Sequence, residues 1–307
     1  MTDKPEVVGV GTAVVDYVGV VETYPGPDSQ VELQTFSKQA GGNVATAIVA
    51  LSRLGVNAGF LGKFGDDELG QFVHSGLTEA GIDLGYSIIE PGGSMGFAFI
   101  VVEQGTGRRT IMWTNQGKSH LSEDEVNRDA ILSARYLHLD HYSIDAAIAA
   151  ARIAKEGDVQ TVLDAENMHP QIDTLLAMTD VLIVCEDFAQ QYTGKKNSQE
   201  ALSALHSGTP AHTVVITAGE NGSYCCNNAE YHRQPAFDIA TVDTTGCGDV
   251  YHGAFIYGLL QQWSLEKTAE FSSAAAALNC RGLGGQSAIP DLAEVKAFLR
   301  TAVPLKA

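Results

Sequence analysis

Positive charge is what this 307-residue sequence has least of: 19 Lys and Arg stand against 37 Asp and Glu, a formal net charge of −18. A chain this acidic is not a nucleic-acid binder, because that affinity comes from neutralising phosphates with cations. The same balance argues against adhesion to an anionic membrane surface. Cysteine is sparse as well. Cys185, Cys225, Cys226, Cys247 and Cys280 are odd in number and form no CxxC, so neither a disulfide framework nor a zinc knuckle is expected and reduced thiols are the plain reading. No uninterrupted apolar run reaches ~18 residues, so no membrane span is expected. The opening residues, Met1-Thr2-Asp3-Lys4, lack the basic-then-apolar order of a signal peptide, and a cytoplasmic protein is expected. What is present is an ordinary globular composition, 45% hydrophobic and 18% charged. A chain of this length buries ~75% of its unfolded surface without staples.

From Tyr136 onward, strand-like and helix-like segments alternate. Tyr136 to Leu139, Val159 to Leu163, Val181 to Val184 and Thr213 to Thr217 read as strands. Ile144 to Ile153, Pro170 to Met178 and stretches near 187–192 and 198–206 read as helices. That rhythm means βαβ units, and so a mostly parallel sheet with helices on both faces: a three-layer α/β/α sandwich. Val7 to Gly11 and Ala58 to Leu61 read as further strands, with helices over Asn43 to Leu54 and Leu69 to Ala80. Val14 to Val21, Val31 to Phe36, Phe97 to Val102 and Thr110 to Trp113 break the rhythm. They are expected to form a small separate β-sheet, a lid built from about 14–37 and 96–115 within a single domain spanning 1–307.

Four motifs invite misreading. Gly9-Val10-Gly11-Thr12-Ala13-Val14 starts like a dinucleotide fingerprint, but strand-like residues follow where a helix is required. Gly117-Lys118-Ser119 ends like a P-loop, yet Met112 stands where its first glycine belongs. Gly92-Gly93-Ser94-Met95-Gly96 satisfies the serine-hydrolase pattern, but a strand follows Ser94 instead of preceding it. His138 and His141 resemble a metal pair; at the end of a strand they point to opposite faces.

The stretch that carries chemistry is Asp243-Thr244-Thr245-Gly246-Cys247-Gly248-Asp249. A helix beginning near Cys247 leaves the N–H groups of Gly246, Cys247, Gly248 and Asp249 free. The glycines permit close approach of a ligand, and the helix dipole favours an anion. This is a phosphate site that needs no cations, which is what so acidic a chain requires. Asp249 lies beside that anion, and its place at a helix N-terminus predicts a lowered pKa.

With its small-residue helix, this segment resembles the C-terminal signature of the ribokinase-type (phosphofructokinase B) carbohydrate kinases. Gly41-Gly42-Asn43-Val44-Ala45-Thr46-Ala47 resembles the family's other signature, with Asp16 after the first strand. Gly62-Lys63-Phe64-Gly65-Asp66-Asp67 and Thr217-Ala218-Gly219-Glu220-Asn221-Gly222 are similar to two further family motifs, and all occur in family order from about residue 8 to 300. The resemblance implies an ATP- and Mg²⁺-dependent kinase acting on a hydroxymethyl group of a small sugar. It implies Asp249 as base and Gly246, Cys247 and Gly248 as the anion hole. Asp16, Gly41, Gly42, Asn43 and Asn115 are implied to bind the sugar, and Thr217, Gly219, Gly222 and Asn279 the nucleotide. It further implies K⁺ near Asp243, Thr245 and Ser287, and pairing of two chains through the lid. A nucleoside kinase of the same fold is the near alternative, on the strength of Trp113 and Tyr17. A serine hydrolase and a sugar-binding relative without catalysis are the remote ones.

The sequence departs from the family pattern in places. Cys247 replaces the usual Ala, and Thr46 replaces a frequent Asn that touches sugar. The family's magnesium motif, N-x-x-E, is absent: Cys185 and Phe188 occupy its ends, leaving Glu186 or Asp187 as substitutes, with Glu186 the expected ligand.

Overall fold

The computed structural model describes residues 4–114 and 118–305. The chain opens with β1 (Val7–Val10) and passes directly into the lid through β2 (Val14–Val21) and β3 (Thr35–Gly41). The helix Asn43–Arg53 leads back to β4 (Ala58–Leu61), and the short pair β5 (Lys63–Gly65) and β6 (Ile88–Glu90) follows. Strands β7 (Phe97–Glu103) and β8 (Arg109–Thr114) complete the lid. After it, β9 (Tyr136–Asp140), β10 (Gln160–Ala165), β11 (Val181–Cys185) and β12 (Thr213–Thr217) alternate with helices. A hairpin of β13 (Ser223–Asn227) and β14 (Tyr231–Gln234) precedes the long helices Cys247–Leu260 and Leu265–Asn279.

The large sheet has the order β14-β13-β12-β11-β10-β9-β1-β4. It is parallel from β12 to β4, and the hairpin adds two antiparallel strands at one edge. Side chains alternate across a strand, so each strand feeds two cores. Val162, Ile183 and Val215 pack with the helices Asn43–Arg53, Cys247–Leu260 and Leu265–Asn279. Leu163, Leu182, Val184, Val214 and Ile216 pack on the opposite face with the helices Ile144–Glu156, Glu186–Thr193 and Ser198–Gly208. The result is the three-layer α/β/α arrangement that the alternating segments predict. Among the described residues, no helix is long and apolar enough to cross a membrane.

The lid is a separate four-stranded sheet, β3-β2-β7-β8. Its register places Asp16 between Gln39 and Ala98, with Ala98 opposite Trp113. One lid strand differs from expectation. The alternation of Val31 and Leu33 reads as a strand, yet both are exposed and the paired segment is Thr35–Gly41. Pairing with β2 decides this: Gly41 must sit opposite Val14 to deliver Gly42 to the start of the next helix.

Candidate active site

In open α/β sheets, ligands bind outside the carboxyl ends of the strands. Here the crossing from β1 to the lid, the end of β9 at Asp140, Glu166 after β10, and Thr217 at the end of β12 all lie on that edge. A cavity of about 260 Å³ opens there between sheet and lid. Thr12, Val14, Asp16, Gly42 and Asn43 line it from the β1–β2 crossing and the first helix. The lid supplies Ala98, Ile100, Arg109, Ile111 and Trp113, and Tyr142 and Glu166 come from the sheet edge. Thr245, Gly246, Gly248 and Asp249 complete the wall.

The phosphate-type loop forms as its sequence demands. Asp243 is fully buried; its Oδ1 accepts from the Thr245 N–H at 2.9 Å and Oγ1 at 2.8 Å, and its Oδ2 from the Gly284 N–H at 2.8 Å. This tight turn ends in Gly246 at φ 72°, a left-handed conformation in which a Cβ would also strike Gly285. The helix Cys247–Leu260 then starts, and among the described residues the N–H groups of Gly246, Gly248 and Asp249 meet no acceptor. A Cβ on Gly248 would meet nothing within 4 Å, so that position faces open cavity.

Asn279 lies behind this loop, not on the cavity wall. Its Nδ2 donates to the carbonyls of Thr245 and Gly285, both at 3.2 Å, and fixes the turn from below. Ser287 Oγ donates to Leu283 O at 2.8 Å on the exposed side of the same glycine-rich segment. Thr46 is buried and accepts from Gln286 Nε2 at 3.1 Å, which turns it away from the cavity.

The expectation of reduced thiols fails at one pair: Cys247 and Cys280 are joined as a disulfide with Cα atoms 6.3 Å apart. The two are 33 residues apart in sequence, and only the return of the helix Leu265–Asn279 to the loop brings them together. The Cys280 carbonyl also accepts from the N–H groups of Val242 and Asp243. Cys185, Cys225 and Cys226 remain free, and burial pushes their thiols up to about 11, 12 and 11 respectively.

On the lid side of the cavity, Asp16 is buried, and a Cβ on Gly41 would collide with its carboxylate. Burial, and then the Asp243 charge, push Asp16 up to about 7. Asn43 donates from Nδ2 to Asp164 Oδ2 at 3.0 Å, a partner the sequence did not reveal. Asp164 itself is buried between Asn43 and His252, whose Nε2 lies 3.6 Å from it. Asn115 falls outside the described residues.

Asp249 reverses its expected direction. Burial raises its pKa well above the carboxylate range, the charges of Glu166, Asp16 and Asp140 add to the rise, and Arg109 alone among the named neighbours opposes it. The helix dipole is outweighed first by burial and then by the neighbouring carboxylates.

Thr217 donates from Oγ1 to Val184 O at 3.3 Å, while Gly219 begins a short 3₁₀ turn and Gly222 caps it at φ 85°. These three sit together beyond the cavity, two strands from Glu166. Glu186 opens the helix Glu186–Thr193, and its carboxylate accepts from Ser198 Oγ. Ser94 lies in the loop ahead of β7, so no nucleophile elbow forms there.

Comparison with known proteins agrees with this geometry. The chain is 31% identical over 306 residues to a ribokinase of Staphylococcus aureus, covering 96% of this chain and 99% of that protein. It is 26% identical over 321 residues to a 5-dehydro-2-deoxygluconokinase of Halalkalibacterium halodurans, covering 97% and 96%. The structure of Arabidopsis thaliana ribokinase complexed with ribose and ATP superposes with a TM-score of 0.82 at 25% identity, covering 97% of this chain and 99% of that one. Residues 4–292 match the pfkB family carbohydrate kinase profile, and the chain belongs to that family: it is an ATP-dependent carbohydrate kinase.

Proposed function

We propose that this kinase moves the γ-phosphoryl group of ATP onto a hydroxymethyl group of a small sugar in the cavity beneath the lid. The observation that carries the reading is that one small cavity holds Asp249, the open helix N-terminus, Asp16 and Asn43 together. Asp16 and Asn43 orient the hydroxyls of the sugar. Asp249 accepts the proton of the attacking hydroxyl, and the N–H groups of Gly246 and Gly248 take the charge spread over the transferring oxygens. The Cys247 N–H, expected to be free, is instead given to Thr244 O at 3.4 Å. The raised pKa of Asp249 suits a base better than the lowered one expected from the dipole alone. Because the ionised form does the work, kcat/KM rises with pH through a value above the ordinary carboxylate range. Thr217, Gly219 and Gly222 hold the nucleotide beyond the cavity.

Magnesium at the triphosphate supplies charge neutralisation. A metal suits this wall, since Glu166 and Asp249 face one cavity and the Glu166 charge adds to the rise in the Asp249 pKa. Glu166 lines that wall, accepting from the Tyr142 hydroxyl at 3.3 Å, whereas Glu186 is not among the lining residues, so Glu166 would hold the ion. Asp243 and Thr245 are committed to the turn, and the K⁺ expectation placed on them and Ser287 rests on the family resemblance. The cavity volume favours a sugar over a nucleoside. Trp113 does line it, but Tyr17 stacks on Phe36 and Phe99 on the other side of the lid. On that outer face Phe36, Phe99 and Met112 are half exposed, which supports pairing of two chains through the lid.

A coupled ADP-release screen across ketoses, aldoses, sugar acids and nucleosides, with Mg²⁺ and K⁺ varied, tests the reading. Turnover with small sugars is expected. Turnover restricted to nucleosides would overturn it.

A further inference from the structure

Three carboxylates, Asp16, Glu166 and Asp249, face the cavity, with Asp140 and Asp164 close behind. Among the described residues that line it, a single side chain carries positive charge, and that is Arg109. It comes from the lid, 140 residues before Asp249 in the chain, at the point where β8 begins.

Its position is defined by contacts with the loop that starts the helix. Arg109 Nη1 donates to Thr244 Oγ1 at 2.7 Å, and Thr244 Oγ1 donates in turn to Gly107 O at 3.3 Å. Thr244 stands two residues before Gly246, so the guanidinium rests at the rim of the open helix N-terminus. Its charge reaches Asp249, where it favours the ionised carboxylate against burial and Glu166.

We propose that Arg109 is a catalytic residue, whose guanidinium pairs with the non-bridging oxygens of the migrating phosphoryl group. This rests on the phosphotransfer reading above. In the step, the sugar hydroxyl oxygen forms a bond to the γ-phosphorus while the bond from that phosphorus to the β–γ bridging oxygen breaks. The electron pair leaves with ADP, and the hydroxyl proton passes to Asp249. Main-chain N–H groups supply only partial charges to this event, and the surrounding carboxylates oppose it. A planar guanidinium offers two parallel donors to a phosphate. Among the described residues lining the cavity it is the one side chain that adds a full positive charge to what a metal at the triphosphate supplies. Because Arg109 rides on the lid, the full charge is delivered only with the lid in place over the sugar.

Steady-state kinetics of Arg109→Ala and Arg109→Lys test this, with circular dichroism melting curves on each variant. Arg109 is exposed at the lid edge, so both are expected to fold. The alanine variant should lose ~10³-fold in kcat, with the sugar KM changing far less. Lysine should recover part of the loss, and added guanidinium ion should partly rescue alanine. The acid limb of the pH–rate profile should move upward in the alanine variant, because Asp249 loses its cation. Thr244→Val separates a tether from a catalyst: equal losses in Thr244→Val and Arg109→Ala without guanidinium rescue would overturn the proposal. A rise in KM confined to acidic sugars, with kcat kept on neutral ones, would overturn it too, by assigning Arg109 to a substrate anion. Failure of the underlying reading has its own mark, full turnover in Asp249→Asn, whatever Arg109 does.

Discussion

The two sheets of this enzyme obey the same alternation rule and spend their side chains differently. The large sheet is covered on both faces, and residues such as Val162, Leu163, Leu182 and Ile183 are wholly buried. The lid buries a small inner cluster, Val18, Ala98, Ile100 and Val102, and leaves Phe36, Phe99 and Met112 half exposed on its other side. One sheet supplies stability and fixes the helix N-terminus proposed to receive phosphate. The other buries fewer side chains and brings Asp16 and Arg109 to the cavity, where they are proposed to meet the substrate. Damage to the first should unfold the chain, while damage to the second should alter function or association and leave the fold standing.

Besides the loss expected for Arg109→Ala, a severe kinetic effect is expected at the junction of the two. Asp249→Asn should lower kcat by ~10² or more with sugar and nucleotide binding largely kept, measured by steady-state kinetics alongside calorimetric binding. Stability should separate the sheets next. Phe255→Ala in the core should cost ~3–5 kcal/mol of unfolding free energy in urea titrations, whereas Phe99→Ala on the lid should cost under ~1 kcal/mol. A lid substitution as costly as the core one would show that the lid is part of the same cooperative core. Light scattering on Phe99→Ala sharpens the contrast, since a dimer made through the lid would dissociate without loss of fold.

A subtler effect is expected at Asp16. Folding raises its pKa from the ordinary 3.8 to about 7, chiefly by burial. The stability tied to that proton is complete below 3.8 and is lost as the pH rises through about 7. Asp16→Asn should therefore melt higher than the parent above about pH 8, with the gain shrinking as the pH falls, and should raise the sugar KM. A melting difference that does not depend on pH would remove burial of that charge as the cause.

What the sequence disclosed is what short-range chemistry encodes. Alternating segments named the sandwich, and the run from Asp243 to Asp249 named a turn opening a helix, because glycines and a capping carboxylate act on their own neighbours. What it hid depends on residues far apart in the chain. Arg109 meets Thr244 across 135 positions, Asp164 holds Asn43 across 121, and Cys280 reaches Cys247 only through the return of a helix. The pKa of Asp249 was misjudged for the same reason. The helix dipole is local and legible, while the burial of Asp249 and the gathering of Glu166, Asp16 and Asp140 around it arise only in the folded chain. Val31 and Leu33 misled because their spacing imitates a strand although no partner pairs with them.

The central claim is that main-chain N–H groups at Gly246 to Asp249 receive the phosphoryl group next to the Asp249 carboxylate. A crystal structure of the enzyme with a sugar substrate and a non-hydrolysable ATP analogue tests it directly. The account predicts the terminal phosphate within hydrogen-bond reach of the Gly248 N–H, with a sugar hydroxyl between it and Asp249. A terminal phosphate lodged elsewhere, out of contact with that turn, would contradict it.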